Sequence, residues 1–315
     1  MHLSDALIST PVAVGGGVIS ATLIAIASKK VKEINRPDIV PLMGVMGAFL
    51  FAAQMINFAI PGTGSSGHLI GGILLSAVLG PWAAFLTLSS VLIVQCLFFA
   101  DGGIMALGCN ILNMGAMACL VAFPLIYQPI AGNGLKKSRI IAASVISSIA
   151  ALELGALFVT LETVFSGVTA LPFLTFIKFM LPIHVAIGAI EGLVTAFLII
   201  FIANYRPEAL YDTVVKGSEK EKNKALYWLI GSVTLLLAGA FTFLASDKPD
   251  GLEWSVEKST DVLELTSNAT PLAIMPEYNS AFAGIVGVLI MLVCIWGVSS
   301  LLLSRKRQGK NINNN

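Results

Sequence analysis

Charge is what this 315-residue chain has least of: Asp, Glu, Lys and Arg make up 12% of it, about half the roughly 25% of a soluble domain. With 56% apolar residues and a mean hydropathy of +0.87, it is built for a bilayer rather than an aqueous core. The formal net charge of +1 leaves no basic surplus, so nothing points to a nucleic-acid partner. Its four cysteines, Cys96, Cys109, Cys119 and Cys294, never fall at C-x-x-C spacing. Neither a zinc site nor a redox pair is encoded, and they read as helix-packing residues. A phosphate loop is missing too: "GNGLKKS" at 132–138 lacks the G-x-x-x-x-G-K-[ST] spacing. Any ATP-driven work is therefore expected of another chain. No lysine run precedes the first apolar stretch, and no small-residue cleavage site follows it, as a secretory signal would require. Met1 and His2 are expected to stay.

What the chain does have is apolar stretches near 6–28, 39–60, 82–99, 104–128, 140–165, 172–204, 227–245 and 281–303, each close to the ~20 residues that span a bilayer. A further piece, 69–80, is too short for a lipid-exposed span but can cross part of the bilayer inside protein. Pro182 predicts a tilt or kink in the long 172–204 stretch. The expected fold is all-α, a polytopic membrane bundle of about nine crossings.

Lys and Arg gather on the cytoplasmic side of membrane proteins. The loops after 28 and at 129–139, the stretch 205–226 and the tail hold 16 of the 19 basic residues. Nine crossings put all four on one side, and the acidic segment 246–280 on the other. The N-terminus is then outside, the C-terminus cytoplasmic, and the protein a multi-pass resident of a prokaryotic plasma membrane. The polar segment 205–226 reads as a cytoplasmic linker between a bundle, 1–204, and a two-helix region, 227–315, with its outer loop at 246–280. That loop is expected to serve transport more than ion capture.

Histidine is scarce, with only His2, His68 and His184, and the second position is an unusual place for one. The Met1 amine, the His2 backbone nitrogen and His2 Nδ1 can close two fused chelate rings, which occupy three corners of a square. Square-planar nitrogen sites suit Ni(II) or Cu(II), whereas zinc prefers a tetrahedron. The expected topology brings His68, in "PGTGSSGHL", to the same face as His2, where it can supply a fourth nitrogen. Asn57, Ser65 and Ser66 are candidates to orient it. The glycines of that loop permit either an ordinary helix connection or a re-entrant segment.

Three further features stand out. Ala13, Gly17, Ala21 and Ala25 form a small-residue stripe suited to close helix packing, within this bundle or against a partner protein. Glu153, Glu162 and Glu191 lie within apolar stretches, where acids are costly. "GSSGH" opens an alternative of a different class, an intramembrane serine hydrolase using Ser66 and His184. A serine and a histidine two residues apart on one loop cannot form a dyad, so only His184 could serve as base.

The segments "MHLSDALISTPV", "PGTGSSGHLIGGILLSAVLGPW" and "ADGGIMALGCNILNMG", with "PDGLEW" at 249–254, resemble the substrate-binding subunit of nickel and cobalt energy-coupling factor transporters, the NikM/CbiM family. The first three cover the bundle. "PDGLEW" is similar to the small NikN/CbiN component, here fused behind the linker. The resemblance implies a transport component with no catalytic activity, carrying Ni(II) or Co(II) as substrate. It implies ligands at Met1, His2 and His68, the set that the chelate geometry reaches. It also implies partners: a transmembrane coupling subunit and cytoplasmic ATPase subunits. A cobalt-specific component serving cobalamin synthesis is the alternative within the same family.

Overall fold

The computed structural model describes residues 1–34, 38–132, 135–169, 171–211, 224–239, 243, 245–260 and 282–294. The linker beyond 211 and the outer loop beyond 260 therefore lie largely outside the described residues. Apolar runs without strand-like alternation become helices. These are α1 (Thr10–Glu33), α2 (Ile39–Gln54), α3 (Gly72–Leu79), α4 (Pro81–Phe99), α5 (Leu107–Ala131), α6 (Lys137–Ser166) and α7 (Phe173–Tyr205). They are followed by α8 (Lys224–Gly239), α9 (Gly251–Ser259) and α10 (Phe282–Cys294). Between α2 and α3 lies a minimal antiparallel hairpin, β1 (Phe58–Ala59) and β2 (Ser66–Gly67), pairing Phe58 with Gly67.

Among the described residues five helices, α1, α4, α5, α6 and α7, are long and apolar enough to cross a bilayer. α2 and α10 are shorter apolar helices, as is Ile230–Gly239 within α8. Large apolar side chains such as Leu125, Phe165, Phe197 and Phe282 stand on the outer surface, as expected where lipid replaces water. The protein is a mostly helical, multi-pass membrane protein. The short piece at 69–80 becomes α3, and all eight of its residues are buried. Protein covers it, as backbone too short to span lipid requires.

Close helix contacts depend on missing side chains. Gly188 and Gly192 of α7 sit four apart and face α6: a Cβ at Gly192 would lie 2.5 Å from Val145 Cα. Glu191, next to Gly192 in sequence, is buried on the side of α7 that meets the residues before α3. On α1 the structure corrects the expected stripe. The buried set is Ala13, Gly16, Ser20 and Ala27, whereas Ala21 and Ala25 are exposed. A spacing of four advances 400° on a helix of 3.6 residues per turn, so the stripe drifts off the face by about 40° per step. Gly16 and Gly17 meet Gly108 and Cys109 at the start of α5, and Ser20 donates to the Gly108 carbonyl at 2.6 Å.

α5 carries the wider i→i+5 hydrogen-bond pattern from Ile111 to Tyr127, with Pro124 inside it. The C-terminal helices lie against α2: α8 packs along it, and Gly287 of α10 admits the Phe51 ring. Cys96, Cys109 and Cys119 are buried and Cys294 exposed; none is in a disulfide.

Candidate metal centre

Residues 1–5 form a strap against the segment that links α4 to α5. Leu3 N donates to Asn110 Oδ1 at 2.7 Å, and Asn110 Nδ2 returns a bond to Leu3 O at 3.1 Å. Gly103 N adds another to the same carbonyl at 3.0 Å, and Ala106 N donates to Asp5 Oδ1 at 3.0 Å. The approach is so close that a Cβ on Gly103 would lie 1.8 Å from Asp5 Oδ1. The Met1 side chain is buried against Gly155 of α6. "MHLSD" and "ADGGIMALGCN" are thus two halves of one docking site.

His68 is held from the opposite side. Glu191 accepts Ile70 N–H at 2.9 Å and Gly71 N–H at 3.0 Å, so a buried carboxylate sits at the N-terminus of α3, where the orphan donors and helix dipole favour it. Gln54 Nε2 donates to Ile70 O at 3.0 Å, and Gln95 Nε2 donates to Gln54 Oε1 at 2.7 Å. Gly71 has φ +73°, and a Cβ there would meet Leu50 Cδ1 at 2.2 Å. His68 Nδ1 lies 3.3 Å from Leu69 O.

These two supports bring the histidines together. The His2 and His68 rings stack with centroids 5.2 Å apart and planes 22° from parallel. Both border a cavity of about 270 Å³, with Asn57, Asp101 and Asp250 also on its wall. Burial, and then the Met1 ammonium, push both imidazoles down to about 3. They are neutral at physiological pH, the form in which an imidazole binds a metal. His2 Nδ1, the chelating atom of the expected ring, lies 3.2 Å from Asp101 Oδ1. Burial raises Asp101 to about 6 despite the opposing His68 and Met1 charges. Among the described residues no three His, Cys, Asp or Glu side chains cluster as a metal site. The cavity wall carries the two imidazoles together with the side chains of Asp101, Asp250 and Glu253.

The Met1 ammonium donates to Asp250 Oδ2. Asp250 caps α9: its Oδ1 accepts Leu252 N–H at 2.8 Å and Glu253 N–H at 2.9 Å, while Glu253 Oε2 accepts Asp250 N–H at 3.2 Å. Burial opposes ionisation of Asp250, but the Met1 ammonium and the hydrogen bonds hold its carboxyl below the usual range. The charge of Asp250, then burial, raises Glu253. The segment leading to α9 lies along the loop that carries His68, with Ser66 N donating to Pro249 O at 2.8 Å and Ser246 N to Asn57 O at 2.8 Å. Trp254 meets Phe179 of α7 edge-on at 5.7 Å. Residues 246–250 and Glu253 line the same cavity as His2 and His68.

The other candidates fall elsewhere. Ser66 Oγ donates to Lys248 O at 2.6 Å, and the His184 ring bonds the Met180 carbonyl through Nδ1 at 2.7 Å. Both side chains are bound to main chain rather than arranged as nucleophile and base. Glu162 accepts from Asn113 at 2.7 Å, and Glu153 Oε1 is buried without a hydrogen-bond partner. Nothing in the sequence spacing marks Asp101 or Asp250. Their signal is that each lies in a quoted segment, "ADGGIMALGCN" or "PDGLEW".

Residues 2–209 match the family model described as the cobalt uptake substrate-specific transmembrane region (CbiM), and residues 224–304 match a PDGLE domain. A protein of Archaeoglobus fulgidus that carries the name fused nickel transport protein NikMN is 29% identical over 93% of this chain and 96% of its own. The cobalt transport protein CbiM of Geobacter sulfurreducens is 24% identical over 81% of this chain and 76% of its own. The crystal structure of a truncated transition metal transporter superposes with a TM-score of 0.57 at 29% identity, covering 65% of this chain and 99% of that one. Transport, not catalysis, is what these relatives share, and the chain belongs to the family of the cobalt uptake substrate-specific transmembrane region, CbiM, with a PDGLE domain behind it.

Proposed function

We propose that the protein is the substrate-binding membrane component of an ATP-driven uptake system for Ni(II), with Co(II) as the alternative ion. In a chain whose first residue is Met1, the ion binds at the outer face through the Met1 amine, the His2 amide and imidazole, and His68. Four nitrogens in a plane favour Ni(II) over zinc. The bundle has about nine crossings, with the N-terminus outside and the C-terminus cytoplasmic in the plasma membrane. Residues 1–204 capture the ion, 205–226 form a cytoplasmic linker, and 227–315 form the NikN/CbiN-like region. A transmembrane coupling subunit and ATPase subunits supply the drive, since this chain encodes no phosphate loop.

One observation carries the reading: His2 and His68, 66 positions apart in sequence, stack at 5.2 Å on one cavity beside the Met1 amine. The nickel and cobalt names of the relatives support the choice of ions. The test is metal analysis and visible absorption of purified full-length protein, wild type against His68→Ala. Wild type is expected to hold one Ni(II) with a square-planar spectrum. His68→Ala is expected to bind much more weakly or to gain a water ligand. Matching spectra and affinities would remove His68 from the site.

A further inference from the structure

The Met1–Asp250 contact joins the N-terminus to the PDGLE segment across 249 positions. It has an arrangement that simple charge pairing would not require. One carboxylate oxygen, Oδ1, caps α9 through Leu252 and Glu253, which fixes the carboxylate plane. The other, Oδ2, is left for the N-terminal amine. The strand of chain before it is pinned to the loop that carries His68 through Ser66 N to Pro249 O, and through Ser66 Oγ to Lys248 O. Behind it, Gly251 fits against the His184 ring, where a Cβ would stand 3.0 Å from the nearest ring carbon. Asp250 is therefore locked in place from three sides, with its free oxygen on a nitrogen that the reading above makes a ligand.

We infer that Asp250 is a positioning residue for the metal, orienting the Met1 amine from the PDGLE segment so that the C-terminal region completes the ion site. The inference rests on the chelate proposed above. A primary amine that binds a metal through its lone pair still carries two N–H bonds. One of them can keep donating to Asp250 Oδ2 while the lone pair points at the ion. An acceptor in this place restricts rotation about the N–Cα bond and strengthens the amine as a donor, as carboxylates do behind metal-bound imidazoles. It also lowers the cost of collecting positive charge at a buried site. The PDGLE segment thereby contributes to capture without touching the ion.

Asp250→Asn separates this role from helix capping. Asparagine caps helices about as well as aspartate, so α9 keeps its Oδ1 bonds. Its amide NH₂ then faces the amine, donor against donor. Asp250→Ser also caps α9, but its hydroxyl is too short to reach the amine. Full-length protein starting at Met1 is titrated with Ni(II) in detergent, following the visible absorption band. Loss of an outer-shell partner lowers metal affinity by about 10–100-fold, and both variants are expected to weaken within that range. At saturation they are expected to retain the wild-type band, because all four nitrogens remain. Affinity within about two-fold of wild type in either folded variant overturns the inference. Failure of wild type itself to bind Ni(II) would instead overturn the chelate, so the two failures are distinguishable.

Discussion

Glu191 bears the most direct load beneath the loop that carries His68, and its replacement gives a graded prediction. It is buried on α7, and its two oxygens accept one N–H each, from Ile70 and Gly71. Both donors are buried. A buried donor left unmade costs about 1–3 kcal/mol, so Glu191→Ala should lose about 2–6 kcal/mol, a large share of a typical stability of about 5–15 kcal/mol. Glu191→Gln keeps one acceptor oxygen but turns an NH₂ toward the second N–H. It is expected to fall midway between alanine and wild type. Since the released segment carries His68 two residues upstream, Ni(II) affinity should fall in the same order. The assay is the fraction of monodisperse protein surviving a temperature series in detergent, with Ni(II) titrations on what survives. Wild-type heat resistance and wild-type affinity in Glu191→Ala would refute the claim that Glu191 tethers the loop.

The remaining predictions concern the same site. Gly71→Ala places a Cβ on a residue with φ +73° and into Leu50; the left-handed backbone alone costs about 1–2 kcal/mol, and Ni(II) titration should show weakened binding. With both imidazoles pushed down to about 3, they do not compete for protons near neutrality. Binding through the amine and the His2 amide displaces their protons, so a weakly buffered Ni(II) titration should release protons into solution. Binding without proton release would argue against main-chain ligands. Ser66→Ala removes the hydroxyl bond to Lys248 O and should lower ion uptake only modestly, whereas a nucleophile would be indispensable.

Much of this was legible in the sequence because membrane helices are encoded locally. An apolar run of about 20 residues has few alternatives in lipid, and 69–80, being too short, had to be enclosed. His2 and His68 were legible as a pair because a rare residue type at two sites on the same expected face leaves few combinations. Glu191 was visible as a costly acid, but not as the anchor of the His68 loop. Its partners are main-chain N–H groups, which leave no mark in composition. Asp250 was less visible still. An aspartate before Gly-Leu-Glu announces a helix cap, and that cap forms, but one oxygen of the same carboxylate serves the far end of the chain. Pairing across 249 positions depends on how α9 docks on α7, and no local pattern carries that information.

The central claim is that the first nitrogen of the chain is a metal ligand, and an N-terminal extension tests it most directly. Placing a flexible Gly-Ser segment of several residues before Met1 converts the amine into an amide and moves the free amine out of reach of His2, whereas a single added glycine would create Gly-Met-His, itself a four-nitrogen chelate for Ni(II). Ni(II) titration of this protein, beside one that begins at Met1 and carries any tag after Asn315, should show binding only in the latter. Equal affinity and an unchanged square-planar spectrum in the extended protein would contradict the account.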